Sequence, residues 1–229
     1  MKNMKSIKSQ QSGFTLVEIA IVLVIIGLLL GGILKGQELI NAAKAKSYAS
    51  DFRTIQAALY GFQDRFKGIP GDLAGATAKI GGVAMLATTP GTVGNGQIEG
   101  AWDSTTVTDE SCLVWQHLRV AGFLAGNTTQ NCATGDPYLQ TNADGGRIGI
   151  SSTAPITGMT GSYFICSSGM RGNIAKQLDI QLDDGVANKG SFQIMAQAAT
   201  APGGVGTAID PATAPGVVDG TAYTACLSF

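Results

Sequence analysis

Ser12-Gly13-Phe14-Thr15-Leu16-Val17-Glu18 decides how the rest of this chain is read, because an apolar run to Leu34 follows it. From Phe14 to Leu34 there are 21 residues, and Glu18 is the one charged side chain among them. As a helix, at about 1.5 Å per residue, this run covers roughly 30 Å, the hydrocarbon thickness of a bilayer. It is apolar on every face, as a membrane span must be and a buried core helix rarely is.

The flanks give an orientation. Lys2, Lys5 and Lys8 precede the span, and no acid lies before Glu18. The positive-inside tendency puts the N-terminus in the cytoplasm and the residues after about 35 on the far side. A secretory signal peptide has a shorter apolar region closed by a small-residue cleavage site. Here no such site closes the run, and Lys35-Gly36-Gln37-Glu38-Leu39 reads as continuing helix. Glu18 is the anomaly, since an acid in a span costs on the order of 2–3 kcal/mol. Either it sits near enough to the interface to reach headgroups, or it needs a cation that this span lacks. A free amine at Phe14 of an adjacent copy would supply one, and such pairing in an apolar setting fixes register.

Gly13-Phe14-Thr15-Leu16-Val17-Glu18, after a short Lys-bearing leader and before an apolar helix, resembles the N-terminal signature of type IV pilins and type II secretion pseudopilins. The resemblance covers about the first fifth of the chain. It implies cleavage after Gly13 by prepilin peptidase, N-methylation of Phe14, and a docking role for Glu18 in filament growth. It also implies partners: copies of the chain and other pilin-like subunits, an inner-membrane assembly platform, and the membrane itself before assembly. The destination is an extracellular pilus or a periplasmic pseudopilus. One departure stands out. Where the family often carries a kinking proline beyond the midpoint glycine, this chain has Lys35. Gly31-Gly32 would supply flexibility instead, each glycine weakening a helix by about 1 kcal/mol relative to alanine.

The domain reading follows: a leader at 1–13, a long helix at 14–67 with its span at 14–34, and a head at 68–229. Tyr48, Phe52, Ile55, Leu59, Phe62 and Phe66 recur at spacings 4-3-4-3-4, one apolar stripe on a polar helix. The stripe is short for a coiled-coil seam and reads as packing against the chain's own head. Gly68-Ile69-Pro70-Gly71-Asp72 ends the helix. The fold class is α+β and pilin-like: a long helix, its lower half transmembrane, packed by its upper half on a small antiparallel sheet.

Net charge is −1 over 229 residues, and −4 once the three leader lysines are gone, which is no nucleic-acid footprint. The 32 glycines and few charges suit an exported, loop-rich head better than a cytosolic enzyme. Cys112, Cys132, Cys166 and Cys226 all fall in that head, and an even count favours two disulfides. All three pairings stay open; the reading leans to Cys112 with Cys132, bracketing one helix, and Cys166 with Cys226, stapling the tail. The spacings lack C-x-x-C, which argues against zinc.

Residues 72–108 read as a long connection, with a helical turn within 74–86 and turn signals at Pro90-Gly91 and Gly94-Asn95-Gly96. The latter is not a phosphate loop, lacking the Gly-Lys-Ser/Thr ending. Trp102 reads as core or as a surface contact. A helix capped by Asp109 or Ser111 runs to about Leu124 and carries His117, the one histidine, for which the sequence offers no nucleophile partner. Strands follow at Arg147–Ser151, Gly161–Ser167 and Ser191–Gln197. A helix from Ile174 to Leu182, capped by Asn173, stops at Asp183-Asp184-Gly185. Asp179, Asp183 and Asp184 read first as solvated turn acids. No cofactor is expected; the competing reading of these three acids is a cation site, for which calcium is the candidate. From Ala198 to Thr224 the chain reads as surface loop, tethered by Cys226.

Two function classes compete. One is a structural filament subunit, of a pilus or of a secretion pseudopilus. The other is a membrane-anchored ligand-binding, adhesin-like protein that does not polymerise, which leaves Glu18 and the Gly-Phe junction unexplained. No catalytic constellation is legible, so an enzyme is not expected.

Overall fold

The computed structural model describes residues 15–81, 92–197, 203–213 and 215–229. The leader with Gly13 and Phe14, the Pro90-Gly91 turn, and part of the expected tail loop lie outside the described residues. Helix α1 spans Leu16–Phe66 without interruption through Gly31, Gly32 and Lys35. The chain divides at Ile40/Asn41 into two compact units.

From Leu16 onward the first unit is helix α1. Every residue from Thr15 to Lys35 is exposed, including Leu23, Val24, Leu28, Leu29 and Leu34. Its most apolar 18-residue window has a mean hydropathy of 2.8 and buries nothing. Apolar side chains presented all round a helix require a non-aqueous surrounding.

The second unit has its own core. Tyr48, Phe52, Ile55, Leu59 and Phe62 of α1 are all buried, with Phe66 half-buried beside them. The 4-3-4 stripe is therefore the inner face of the helix within this unit. The Phe52 ring meets Phe192 edge-on at 5.9 Å. Beyond it come α2 (Ala76–Ile80), α3 (Glu110–Val120) and α4 (Gly172–Leu182). The strands are β1 (Gln140–Thr141), β2 (Arg147–Ser151), β3 (Phe164–Arg171), β4 (Phe192–Ala196) and β5 (Ala222–Ser228). They form one antiparallel sheet in the order β1-β2-β3-β5-β4. The α+β class of the sequence reading is the architecture observed.

Helix α3 ends at Val120 rather than near Leu124, the short strand β1 was not anticipated, and three further elements differ from the sequence reading. The stretch read as loop to Thr224 ends instead in a strand, β5, which lies between β3 and β4 and is buried from Tyr223 to Ser228. Strand β3 starts and ends later than expected, and a register shift between Ser167 and Met170 accommodates the extra residues. Helix α4 begins at Gly172 with Arg171 as its N-cap, so Asn173 lies inside the first turn and caps nothing.

Both disulfides close within this unit. Cys112 of α3 joins Cys132, and Cys166 joins Cys226. The second pair is directly cross-strand, Cys166 of β3 facing Cys226 of β5 with Cα atoms 4.1 Å apart. It fastens two interior strands together rather than merely tying down a tail.

Phe62 is 0% exposed and touches Phe66, Phe123 and His117. Phe62→Ala is expected to cost about 3–5 kcal/mol, read as a lower denaturant midpoint by tryptophan fluorescence. Replacing Cys166 and Cys226 together by Ser should cost about 2–4 kcal/mol, whereas reducing agent should leave that double variant less affected than wild type.

Candidate functional site

The first described turn is that of α1. Thr15 is its N-cap residue, with its carbonyl accepting from the Ile19 amide at 3.4 Å. The Thr15 amide and hydroxyl both donate to Glu18 Oε2, at 2.8 and 2.6 Å, and the Glu18 amide donates to Thr15 Oγ1 at 3.3 Å. This is a capping box: Thr at the cap and Glu three residues on satisfy each other's backbone donors. It also places a carboxylate at the positive end of the helix dipole. So within one chain Glu18 is neither unpaired nor reaching for a distant cation. Its charge is held in the first turn of the helix, three residues after Thr15, the first described residue.

A second polar constellation joins elements of the head. Asp144, in the turn between β1 and β2, receives an ion pair from Lys44 and a hydrogen bond of 3.0 Å from the Tyr48 hydroxyl. Two successive turns of α1 are thus fixed to the sheet edge by one carboxylate. Burial and that neighbouring charge push the Tyr48 phenol well above its ordinary range.

A third is a group of carboxylates that spacing could not reveal. Asp72, just past the end of α1, accepts from the backbone amides of Gly94, Asn95 and Gly96. The glycine-rich turn is thus a nest for a side chain of this protein. Glu110, at the start of α3, is 0% exposed and takes the Glu99 amide on Oε2 at 2.8 Å. Burial pushes its carboxyl up to about 7, with the charges of Asp72 and Glu99 adding to the effect. In its neutral form Glu110 is a donor, and Asp72 is the acceptor beside it.

The remaining candidates are structural. His117 is fully buried on α3. Its Nδ1 accepts the Gly71 amide at 2.8 Å, and its ring stacks on Phe62. Trp102 is buried against Met159, Phe164 and Met195. Arg119 places its guanidinium over the Tyr138 ring and donates to the Tyr138 and Asn127 carbonyls. Asp179 corrects the sequence reading. It is 1% exposed, not a solvated turn acid, because it lies on the inward face of α4 one turn before the end. Asp183 is half-buried and Asp184 exposed, and one carboxylate oxygen from each of the three lies within 4.8 Å of the others. Burial, with Asp184 and Asp183 nearby, pushes the Asp179 carboxyl up to about 6.

Of the residues singled out from sequence, the structure brings together Asp179 with Asp183 and Asp184, and the cysteines in two pairs. The sequence reading missed the capping box, although Thr-x-x-Glu ahead of an apolar run is its local signal. The Asp72–Glu99–Glu110 group carries no such local signal.

Residues 8–34 match the family model for the prokaryotic N-terminal methylation motif. No curated protein matches the chain.

Glu110 gives a pH prediction. Its carboxyl titrates near 7 when folded and at the ordinary 4.5 when unfolded. The folded state therefore binds more protons between these values. The stabilisation is complete below about pH 4.5 and is lost as pH rises through about 7. Glu110→Gln keeps the donor and the shape without the charge. It is expected to match wild type near pH 5 and to exceed it on the order of 1–2 kcal/mol near pH 8. Paired urea titrations at the two pH values check this.

Proposed function

We propose, from the premise that this chain carries the N-terminal signature of type IV pilins and pseudopilins on a pilin-like α+β fold, that it is a structural subunit of a type IV pilus-like filament. One conjunction carries the reading. The methylation motif at residues 8–34 coincides with the stretch of α1 whose apolar side chains find no burial in their own chain. A motif of this kind implies processing by prepilin peptidase and assembly into pilin-like filaments, and the apolar helix fits membrane anchoring.

In this reading the precursor is held in the inner membrane as a single N-in span. The peptidase cuts after Gly13, and the new amine at Phe14 is methylated. On docking, Glu18 gives up part of its capping box and accepts instead from the Phe14 amine of a neighbour. The exchange replaces neutral donors by a charged one in an apolar setting, where a charge-assisted bond is about twice as strong as a neutral one. The apolar face of each helix is then covered by the helices of other copies. The second unit, cross-linked twice, is the filament's outer part.

The intact mass of the membrane-extracted protein tests the processing step. It is expected to correspond to a chain starting at N-methylated Phe14, and a Met1 or Lys2 start in peptidase-competent cells would contradict the reading. Glu18→Gln tests docking. The amide keeps a capping acceptor, so insertion and cleavage should proceed, while the amount in sheared fibres should fall at least about tenfold, equivalent to about 1.4 kcal/mol. Abundant wild-type chain in sheared fibres would identify a major pilus subunit. Processed chain absent from them would point to a pseudopilin.

A further inference from the structure

Three carboxyl groups from separate segments meet beneath one exposed turn. Asp72, just past α1, is 2% exposed and accepts from the amides of Gly94, Asn95 at 3.3 Å and Gly96 at 2.6 Å. Glu110, in the first turn of α3, is 0% exposed. Its Oε2 takes the Glu99 amide at 2.8 Å, while its Oε1 is buried and receives no donor, as is Glu99 Oε2. Two ionised carboxylates side by side repel, and one shared proton removes the repulsion. Three amide donors favour the ionised form of Asp72, so the proton rests on Glu110, which donates to Asp72.

The other titratable groups around the pair leave that proton in place. None of the four ion pairs among the described residues includes Asp72, Glu99 or Glu110. Asp109, beside Glu110, accepts from the Ser104 hydroxyl at 2.5 Å, and His117, two turns along α3, accepts the Gly71 amide. Arg147 of β2 donates to the Asp103 and Ser104 carbonyls. Lys67, paired with Asp64, and Lys79 of α2 line a cleft beside Asp72 with Tyr60 and Tyr163. Residues 82–91 carry no titratable side chain. The turn above the carboxyls has one fixed end. Residues 94–97 are exposed, whereas Ile98 is fully buried, its amide on Ser152 Oγ and its carbonyl accepting the Ser152 amide, both at 2.8 Å.

The geometry points to a proton-dependent latch: with the proton in place Asp72 straps the 94–97 turn to the end of α1, and its loss frees the turn to swing about Ile98. Relief comes at Asp72 because its donors sit on an exposed turn, whereas Glu110 is enclosed in α3. A weaker, neutral tie is the Tyr163 hydroxyl, which donates to the Gly96 carbonyl at 3.0 Å. The turn walls an open cleft of about 730 Å³, so its release widens that cleft. Burial and the neighbouring acids push the Glu110 carboxyl up to about 7, so the latch is closed in acid and opens above neutrality. The device needs only the head's own residues and stands or falls separately from the filament reading.

Hydrogen–deuterium exchange of the detergent-solubilised full chain near pH 6 and near pH 8 tests the latch, with each amide corrected for its intrinsic rate. A carboxyl at about 7 when closed and at the ordinary 4.5 when open makes opening about tenfold more frequent at the higher pH. Gly94, Asn95 and Gly96 are expected to lose about tenfold in protection. At both pH values they should stay at least about a hundredfold less protected than the buried amides of β3 and β5, because the opening is local. Glu110→Gln donates to Asp72 without titrating, so the turn should be equally protected at both. Constant protection of the turn in the wild type, or an equal fall in Glu110→Gln, would overturn the latch. So would protection as high as that of β3 and β5, which means release only on global unfolding. Asp72→Asn keeps an acceptor for the turn and offers a donor to ionised Glu110, so the fall should vanish there too. An undiminished fall in that variant overturns the latch even if Glu110→Gln fails to fold.

Discussion

Burial of one helical face sets the terms for the head. Between Tyr48 and Phe62 α1 offers five large apolar side chains on a single stripe, and the sheet and α3 close over them. At roughly 1.5–3 kcal/mol for each fully buried side chain of this size, the stripe is among the larger favourable contributions the head has. A sheet of short strands with one apolar face has little stability alone and needs such a partner. The residues that flank the stripe are tuned to it. Asp144 holds Lys44 and Tyr48, and Phe123 and His117 meet Phe62.

The same helix changes solvent along its length. From Thr15 to Lys35 it has no apolar partner in its own chain, and from Ala45 onward it has a core. Helix propensity does not distinguish the two halves, since the hydrogen-bonded ladder runs through both. What distinguishes them is patterning: apolar on all faces in one, on one face in the other. A protein built this way is complete in water only from the stripe onward. The rest is stable where lipid or other helices surround it.

Much of this was legible. The span, the stripe and the helix stop before Pro70 are periodic and local, and β2 falls on the expected residues. Strand β5 was not legible, because Ala222, Thr224, Ala225 and Ser228 are small or polar and follow a stretch dense in glycine and proline. Its place in the middle of the sheet, buried on both faces, removes the alternation that marks a half-exposed strand. Asp179 was misread for a related reason. Its burial follows from which face of α4 meets the sheet, and the acids after it made it look like part of a solvated turn. The meeting of Asp72 with Glu110 depends on a contact across 38 positions of the chain, and no spacing rule reaches that far.

Sheet order has a consequence for the history of each molecule. Among the described residues β5 is the one strand that pairs with β4, beside an isolated bridge from Met195 to Ala208 on its other edge, and β5 is the last of the described strands. While a chain emerges N-terminus first, β3 can pair with β2, but the edge of β4 that faces β5 stays unpaired until residues 222–228 arrive. Such an edge templates aggregation. The Cys166–Cys226 bond can form only after that arrival, so it records completion rather than guiding it. Newly made molecules are therefore vulnerable late, and an oxidised 166–226 pair distinguishes a closed head from one still waiting for its central strand.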